Sequence, residues 1–511
     1  MYLKINMSAS IKRKLINYSG NDPSNLFAEL MEFIKDGQKA LIQTTGQKAR
    51  SKWGTINIES YLTKKFPHLK ILRIDGESVA DPHHPAYGCM ANLNSILLGY
   101  DIAIASPVIE TGVSIECRDI IDKSYSEVPM AFQLLLNGII DNTDFGQIKT
   151  KPHFDAVWAI AYGLQSVDAV CQTVERVRDN IPRHIWIKKT AKDSCIGNGS
   201  TFVKYLLASE NKKAVANIQQ LHLAGIDEFD TIDLNFSTHS LNTWAKRACI
   251  VNHGKANYRD EIVGKLLAEG YELFDKEDDK KGAVIKQEIK ENCQENYLAY
   301  SKAVAGVETP TDTELEELKD KRAKTKIERL QEKKGNLVKK YGVEITPQLV
   351  ESDDRGLYPQ LQLHYYLSVG KAKLLERDRS SLTRLTEEGD GKVFTPDLNK
   401  RQLLAKVKAL QVIFIEQFFN EGAEFSKESL ADWLDLVIQF RFDLKSILGV
   451  SINPEKDSAI AVAQRFLKKL GLKLEFKCWR GDRKNKQRIY SGCNVDVDRR
   501  SQIFDYWLSL G

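Results

Sequence analysis

The sequence predicts a parallel α/β domain, then a mostly α-helical region, then a C-terminal unit of helices closed by a basic β-hairpin. Three observations carry this order. Between Lys39 and Ile187, short runs of Ile, Val, Leu and Ala bounded by turn residues alternate with helical patterns, as the buried parallel strands of a doubly wound sheet do. After Lys188 the strand signal stops and apolar residues fall at helical spacing. Near the C-terminus, two alternating segments, LKLEFKCWR and QRIYSG, flank the polar turn GDRKNK. At 511 residues, with 42% hydrophobic and 28% charged residues, the chain is too long for one core and too apolar for overall disorder.

Residues 1–38 read as a lead-in or linker. The opening MYLKINMSASIKRKLI lacks the apolar core of a signal peptide, and no run of about 18 apolar residues occurs, so a soluble cytoplasmic protein with no membrane partner is expected. Residues 39–189 hold the strands ALIQTT (Ala40 to Thr45), KILRID (Lys70 to Asp75), DIAIAS (Asp101 to Ser106), FDAVWAIAYG (Phe154 to Gly163) and RHIWI (Arg183 to Ile187). Residues 190–309 read as a helical domain, with helical spacing from Phe202 to Ile226 and from Tyr258 to Phe274.

Pro310 opens a charged helical arm, residues 310–345. Its sparse apolar stripe is Leu315, Leu318, Ile327, Leu330 and Leu337. Acidic residues gather near its start and basic ones near its end, and a break is expected at Gly335. A connecting helical region, 346–400, follows. In 401–511, helices are expected from Arg401 to Asn420, Ser429 to Lys445 and Asp457 to Leu470. Helices followed by a basic hairpin resemble a winged helix.

The hairpin segment is the most charged part of the chain. From Arg465 to Tyr490 there are ten Lys or Arg against Glu475 and Asp482, an excess of eight, although the whole chain carries only +5. Lys473, Lys477, Arg480, Arg483, Lys484, Lys486 and Arg488 are the candidate DNA contacts, with Trp479 and Tyr490 interleaved for stacking or wedging. A solvated charged face is the competing reading. The eight cysteines form no CxxC pair and no zinc-ligand spacing, which predicts reduced thiols and no metal site. His83 and His84 in DPHHPAYG read as loop residues, and Asp353 and Asp354 as an exposed turn.

Two stretches carry the chemistry of the first domain. ASPVIETGVSI places a strand end, a turn and a Gly in succession, so a hydroxyl and an approachable backbone can face a phosphate. QTVERVR presents arginines after a strand, suited to charge developing in phosphoryl transfer. Together with ALIQTTGQ these resemble, in order, motifs IV, V and VI of the second RecA-like motor domain of superfamily-two helicases. RIDGES, DPHHPAYG, YDIAIASPVIETGVSI and QTVERVRDNIPRHIWI are similar, more specifically, to cyanobacterial plasmid replication proteins, whose helicase part is related to herpesvirus-type origin-binding proteins. The resemblance covers Lys39 to about Lys189 and is looser beyond.

That resemblance implies that Gln172, Thr111, Gly112 and Ser114 border nucleotide and that Thr45 and Ser106 touch the nucleic-acid backbone. It makes Arg176 and Arg178 the catalytic candidates, with Arg178 the arginine finger. Glu175 stands where the superfamily usually has Gly, and Arg178 lies close to Arg176, so Arg176, Arg178 and Arg183 all remain open for that role. No GxxxxGK(S/T) loop and no acidic strand end for magnesium is found; LSVGKAKL, around Gly370 and Lys371, lacks the earlier Gly and the hydroxyl residue. The expectation is the C-terminal half of a helicase. It would bind single-stranded or duplex DNA and use ATP and Mg only when a separate chain supplies the first motor domain. The alternative is a non-enzymatic DNA-binding initiator or adaptor with a degenerate motor domain. A small-molecule α/β enzyme is disfavoured, since no nucleophile-base pair is visible.

Overall fold

The computed structural model describes residues 13–107, 113–120, 150–210, 238–277, 281–374, 376–377, 380, 403–482 and 486–510. The described residues of Met1–Thr201, Ala248–Ala303 and Thr313–Glu332 form one compact unit, and those of Phe202–Arg247, Val304–Asp312 and Lys333–Gly511 a second. Among the expectations above, Thr111, Gly112, Arg483, Lys484, most of the helical pattern after Phe202 and residues 381–400 lie outside the described residues.

The first unit is built on a seven-stranded sheet. Its strands are β1 (Arg13–Tyr18), β2 (Ala40–Thr44), β3 (Ile71–Ile74), β4 (Ile102–Ala105), β7 (Ala156–Ala161), β8 (Arg183–Ile187) and β9 (Tyr271–Lys276). A two-stranded ribbon, β5 (Arg118–Ile120) and β6 (Thr150–Pro152), stands apart from it. The order is β3-β4-β2-β7-β8-β1-β9, and every neighbouring pair is parallel. β2, β4 and β7 are buried along their whole length, because helices cover both faces; this is why they read as unbroken apolar runs.

One face is covered by α1 (Ser24–Lys35) and α2 (Thr55–Lys65), whose Leu26, Leu30, Ile58 and Leu62 join Ile42, Ile104, Trp158 and Trp186 in one cluster. On the other, α3 (Leu93–Leu97) contributes Leu93 and Leu97 beside Leu41 and Ala103. There too α4 (Val167–Val174) places Val170 and Val174 beside Ala159 and Ile185.

The sheet is wider than residues 39–189. β1 lies in the expected lead-in, and β9 lies in a stretch expected to be helical to Phe274; residues 248–303 belong to the unit that holds the sheet. The helix there, α6 (Tyr258–Ala268), follows α5 (Thr238–Ala256) and stops two residues before β9, with Gly270 at a φ of 94° making the turn. β9 is an edge strand, exposed over most of its length, so YELFDK lacks the apolar run that marks the central strands.

The RIDGES segment folds into a buried ionic clamp at the end of β3. Asp75, fully buried, accepts hydrogen bonds from the Thr55 hydroxyl and the Arg73 guanidinium at 2.5 Å each and from the amides of Glu77 and Ser78 at 3.0 and 2.9 Å. Arg73 also donates to Glu59 at 2.8 Å. Burial pushes the Asp75 carboxyl up, but Arg73 and the donated hydrogen bonds outweigh it and hold the group below the usual carboxylate range. Asp75→Ala is expected to cost about 3 kcal/mol of stability, since a mostly buried guanidinium loses one of its two carboxylates. A urea titration of the first unit checks this; a loss under about 1 kcal/mol would show that Glu59 alone satisfies Arg73.

After α7 (Gly282–Gly306) the charged arm forms α8 (Asp312–Asp320) and α9 (Lys326–Tyr341). The break falls at residues 321–325, and the helix runs unbroken through Gly335, which is buried. A capping box sets the restart: the Glu328 amide donates to the Thr325 hydroxyl at 3.2 Å, and the Thr325 amide to the Glu328 carboxylate at 2.8 Å.

In the second unit, α10 (Pro347–Asp354) begins at the cap Thr346 and ends in an ionic network rather than an exposed turn. Asp353 pairs with Lys333 at 3.0 Å, with Lys340, and with the Tyr341 hydroxyl at 2.8 Å, and Asp354 pairs with Lys333 at 3.1 Å. LSVGKAKL starts at the end of α11 (Leu357–Leu367) and continues through a turn into another helical stretch, so it is no strand-to-helix phosphate loop.

The expected helix from Arg401 to Asn420 is α12 (Leu404–Val412) followed by a 3-10 turn, Ile415–Phe419. Between them Phe414 adopts a φ of 51°, and the Ile413 carbonyl accepts the Trp433 indole N–H at 2.7 Å instead of continuing a helix. The expected helix from Ser429 to Lys445 is two, α13 (Ala431–Gln439) and α14 (Arg441–Leu448). α15 (Ala459–Lys469) starts at Ser458, whose hydroxyl accepts the Ala461 amide. β11 (Glu475–Arg480) and β12 (Gln487–Ser491) form the predicted hairpin, a two-residue β10 (Glu424–Phe425) makes it a three-stranded antiparallel sheet of order β10-β12-β11, and α16 (Arg500–Ser509) follows. One cluster, from Leu410 and Phe418 to Val462, Phe466 and Cys493, is the core here.

Among the described residues no helix is long and apolar enough to cross a membrane. All eight cysteines are unpaired, and no group of three or more described His, Cys, Asp or Glu side chains could hold a metal.

Candidate nucleotide and nucleic-acid sites

The carboxyl ends of β2, β4 and β7 meet in a narrow crevice lined by Gln43, Thr44, Ser106, Gln165 and Thr173, among others. Parallel pairing places Gln43 opposite both Ala105 and Ala159, which brings these ends level. Such a strand-end crevice is where open α/β sheets bind ligands. Gln43 donates to the Thr173 carbonyl in the last turn of α4 at 2.8 Å, fixing that helix to the central strand. Thr44 donates to the Trp53 carbonyl at 2.6 Å and so holds the loop that begins at Thr45.

That loop is compact. The Thr55 amide reaches the Gly46 carbonyl at 2.9 Å, and a Cβ at Gly46 would lie 2.4 Å from the Ser51 hydroxyl, so a larger residue there would push that side chain aside. It carries Lys48, Arg50 and Lys52 beside a half-buried Thr45. Lys52 lies 5.1 Å over the Trp53 ring, and burial, the largest influence on it, lowers its pKa. Ser106 is buried, with its amide donating to the Ile74 carbonyl at 2.9 Å.

The two stretches read as phosphate-facing are joined directly. Ile115 and Val177 form a parallel bridge, with the Ile115 amide on the Arg176 carbonyl at 2.9 Å and the Arg178 amide on the Ile115 carbonyl at 3.3 Å. The Arg176 guanidinium donates to the Val113 carbonyl at 3.0 Å, and the Arg178 Nε to the Ser114 hydroxyl at 3.3 Å. Ser114, Arg176 and Arg178 are therefore neighbours. Arg178 is exposed and Arg176 half-buried. Gln172 stands on the solvent side of α4, while its neighbours Cys171, Thr173 and Val174 are buried.

Arg183 leaves the set of open candidates. It is fully buried and donates to the carbonyls of Val177, at 2.5 Å, Asp179, at 2.9 Å, and Ile181, so it shapes the loop that presents Arg178.

Three further side chains position this region. Asn94 donates to the Ser114 carbonyl at 3.1 Å and accepts the Glu116 amide at 3.0 Å; Arg13 donates to the Arg178 carbonyl at 3.0 Å. The buried Lys255 ammonium gathers the carbonyls of Gly163, Leu164 and Gln165 at 2.5, 3.0 and 2.5 Å, fixing the loop between β7 and α4. Gln43 left a trace in sequence, as the one amide inside an apolar strand. Lys255 left none, because its partners lie about ninety positions earlier.

In the hairpin the cations divide by face. Lys477 and Arg480 turn to Glu424, at 2.9 and 2.6 Å, and Lys473 pairs with Glu475 at 3.0 Å. Arg465, on α15, is held by both oxygens of Asp457 at 2.6 Å. Lys486 and Arg488 instead lie 5.0 and 4.8 Å from the ring centre of Trp479, and neither pairs with a carboxylate among the described residues.

Fold and sites together define an α/β protein with a narrow crevice at the strand ends of an all-parallel sheet and, in its other unit, helices with a cation-rich hairpin. The chain is 39% identical over 501 residues to an uncharacterized protein of Picosynechococcus sp.; the match covers 97% of this chain and 46% of that protein, so the chain spans about half the length of its relative. No protein-family model matches the chain, and no solved structure matches it.

Proposed function

We propose that this chain is the DNA-binding, C-terminal part of a plasmid-replication helicase of the origin-binding type, carrying the second motor domain. The carrying observation is the junction of residues 113–115 with 176–178, where Arg178 and Ser114 meet. On this reading the sheet unit is RecA-like. Arg178 reaches the γ-phosphate of an ATP whose Mg and phosphate loop belong to a first motor domain supplied from elsewhere.

The C-terminal unit fits a winged helix. Its order of helix, short strand, helices and a closing hairpin, with the short strand pairing the last one, supports that reading. The second reading, a non-enzymatic initiator or adaptor with a degenerate motor domain, is favoured by one observation: the Arg176 guanidinium is spent on the Val113 carbonyl, within the chain itself.

DNA binding is tested by salt. Each phosphate contact releases counterions and adds about 0.7 to 0.9 to the log-log slope of affinity against salt. Reversing Arg483, Lys484 and Lys486 to Glu is expected to flatten that slope by about 2 to 3, with the affinity loss shared across DNA sequences. Unchanged slope and affinity would make the hairpin a solvated face.

A further inference from the structure

We infer that Phe476 and Trp479 form a stacking platform for unpaired nucleobases, so that the ligand of the hairpin is single-stranded DNA in preference to duplex. This rests on the DNA-binding reading of the hairpin and names its substrate class.

The platform exists because of a backbone irregularity. Residues three apart on a regular strand point to opposite faces. In β11 the register shifts between Phe476 and Cys478: Phe476 pairs with Tyr490 and Trp479 with Arg488, so three steps on β11 match two on β12. The bulge therefore puts Phe476 and Trp479 on one face, together with Tyr490 and Arg488. Cys478 pairs with Ile489, which is buried on the other face. The rings touch in sequence, Tyr490 to Phe476 at 6.1 Å and Phe476 to Trp479 at 5.9 Å.

Two observations identify the occupant. Phe476 is 52% and Trp479 45% exposed, an open aromatic pair on an edge strand that the core of the unit does not use. The cations beside these rings, Lys486 and Arg488, have no carboxylate partner among the described residues, whereas Lys477 and Arg480 both pair with Glu424. Exposed aromatic rings next to positive charge without a carboxylate partner match a ligand with flat bases on a polyanionic backbone. A duplex keeps its bases stacked on one another and offers the platform only phosphates.

The test measures binding of the full chain to fluorescein-labelled oligo(dT) and to a blunt duplex across a salt series. Trp479→Ala and Phe476→Ala are each expected to weaken oligo(dT) binding roughly fivefold to a hundredfold. Duplex binding should change less than about twofold and the salt slope should stay the same, because no phosphate contact is removed. Trp479→Phe, which keeps a ring, should retain most of the affinity. Equal losses on both probes, or no loss on oligo(dT), would overturn the platform and leave the hairpin as a phosphate contact. A wild-type chain that binds neither probe would overturn the DNA reading as well, and a dimer of the chain that Trp479→Ala dissolves would assign the face to a second copy.

Discussion

Arg178→Ala is expected to lower DNA-stimulated ATP turnover about a thousandfold, the scale of losing an arginine finger, once a first motor domain is supplied in trans. DNA affinity should change less than about twofold, because the salt-dependent contacts lie elsewhere. The exposed guanidinium, which donates to the Ser114 hydroxyl, is the group to which the proposed function assigns the phosphate contact. Arg176→Ala should also cost turnover more than DNA affinity, but by releasing the Val113 carbonyl and the segment around Ser114. Without the added domain, the chain should hydrolyse ATP no faster than background, since no phosphate loop or magnesium carboxylate occurs in its sequence. Robust turnover by the isolated chain, or equal losses of turnover and DNA affinity in Arg178→Ala, would sink this assignment.

Acid is expected to destabilise both units between about pH 6.5 and pH 4, by about 3 kcal/mol in each. His184 on β8 stacks on Trp158 at 3.7 Å and lies 2.9 Å from the Tyr18 hydroxyl. His364 on α11 accepts the Arg500 guanidinium at 2.9 Å and packs edge-on to Phe419 and Phe504. Burial, the largest influence on both, lowers each imidazole to about 4, and the Arg500 charge adds to the effect on His364.

Because these folded values lie below the unfolded one, the unfolded chain binds more protons throughout that window, and stability falls with pH until about 4. The depressed carboxylates, Asp75 and Asp353, lose their contribution only at lower pH, below the unfolded Asp value of about 3.9. Urea midpoints at pH 7 and pH 4.5 measure the loss. His184→Phe, which keeps the stack on Trp158, should abolish it in the first unit alone; an unchanged pH dependence in that variant would show that other groups set it.

How much was legible depended on whether a signal was local. The central strands announced themselves because burial on both faces demands unbroken apolar runs, as in Ile102–Ala105 and Ala156–Ala161. β9, at the edge, and β1, its neighbour, did not, since half-exposed positions admit Arg, Lys and Glu. A glycine signal alone divides the arm at Gly335, whereas the capping pair Thr325 and Glu328, equally present in the sequence, marks the actual restart. Asp353 and Asp354 read as an exposed turn in sequence because their partners Lys333, Lys340 and Tyr341 come from another helix.

The sequence by itself determined the parallel α/β class, the hairpin and its excess of positive charge, and the absence of a phosphate loop from this chain. These are properties of composition and period, which act over a few residues. Tertiary structure decided which arginine is available and which is structural, since Arg183 differs from Arg178 only in the three carbonyls that close around it. It likewise decided which hairpin cations are neutralised and that Phe476 and Trp479 share a face. Ion pairing with Glu424, more than fifty residues away, and a bulge in strand pairing depend on distances in space that linear spacing does not encode.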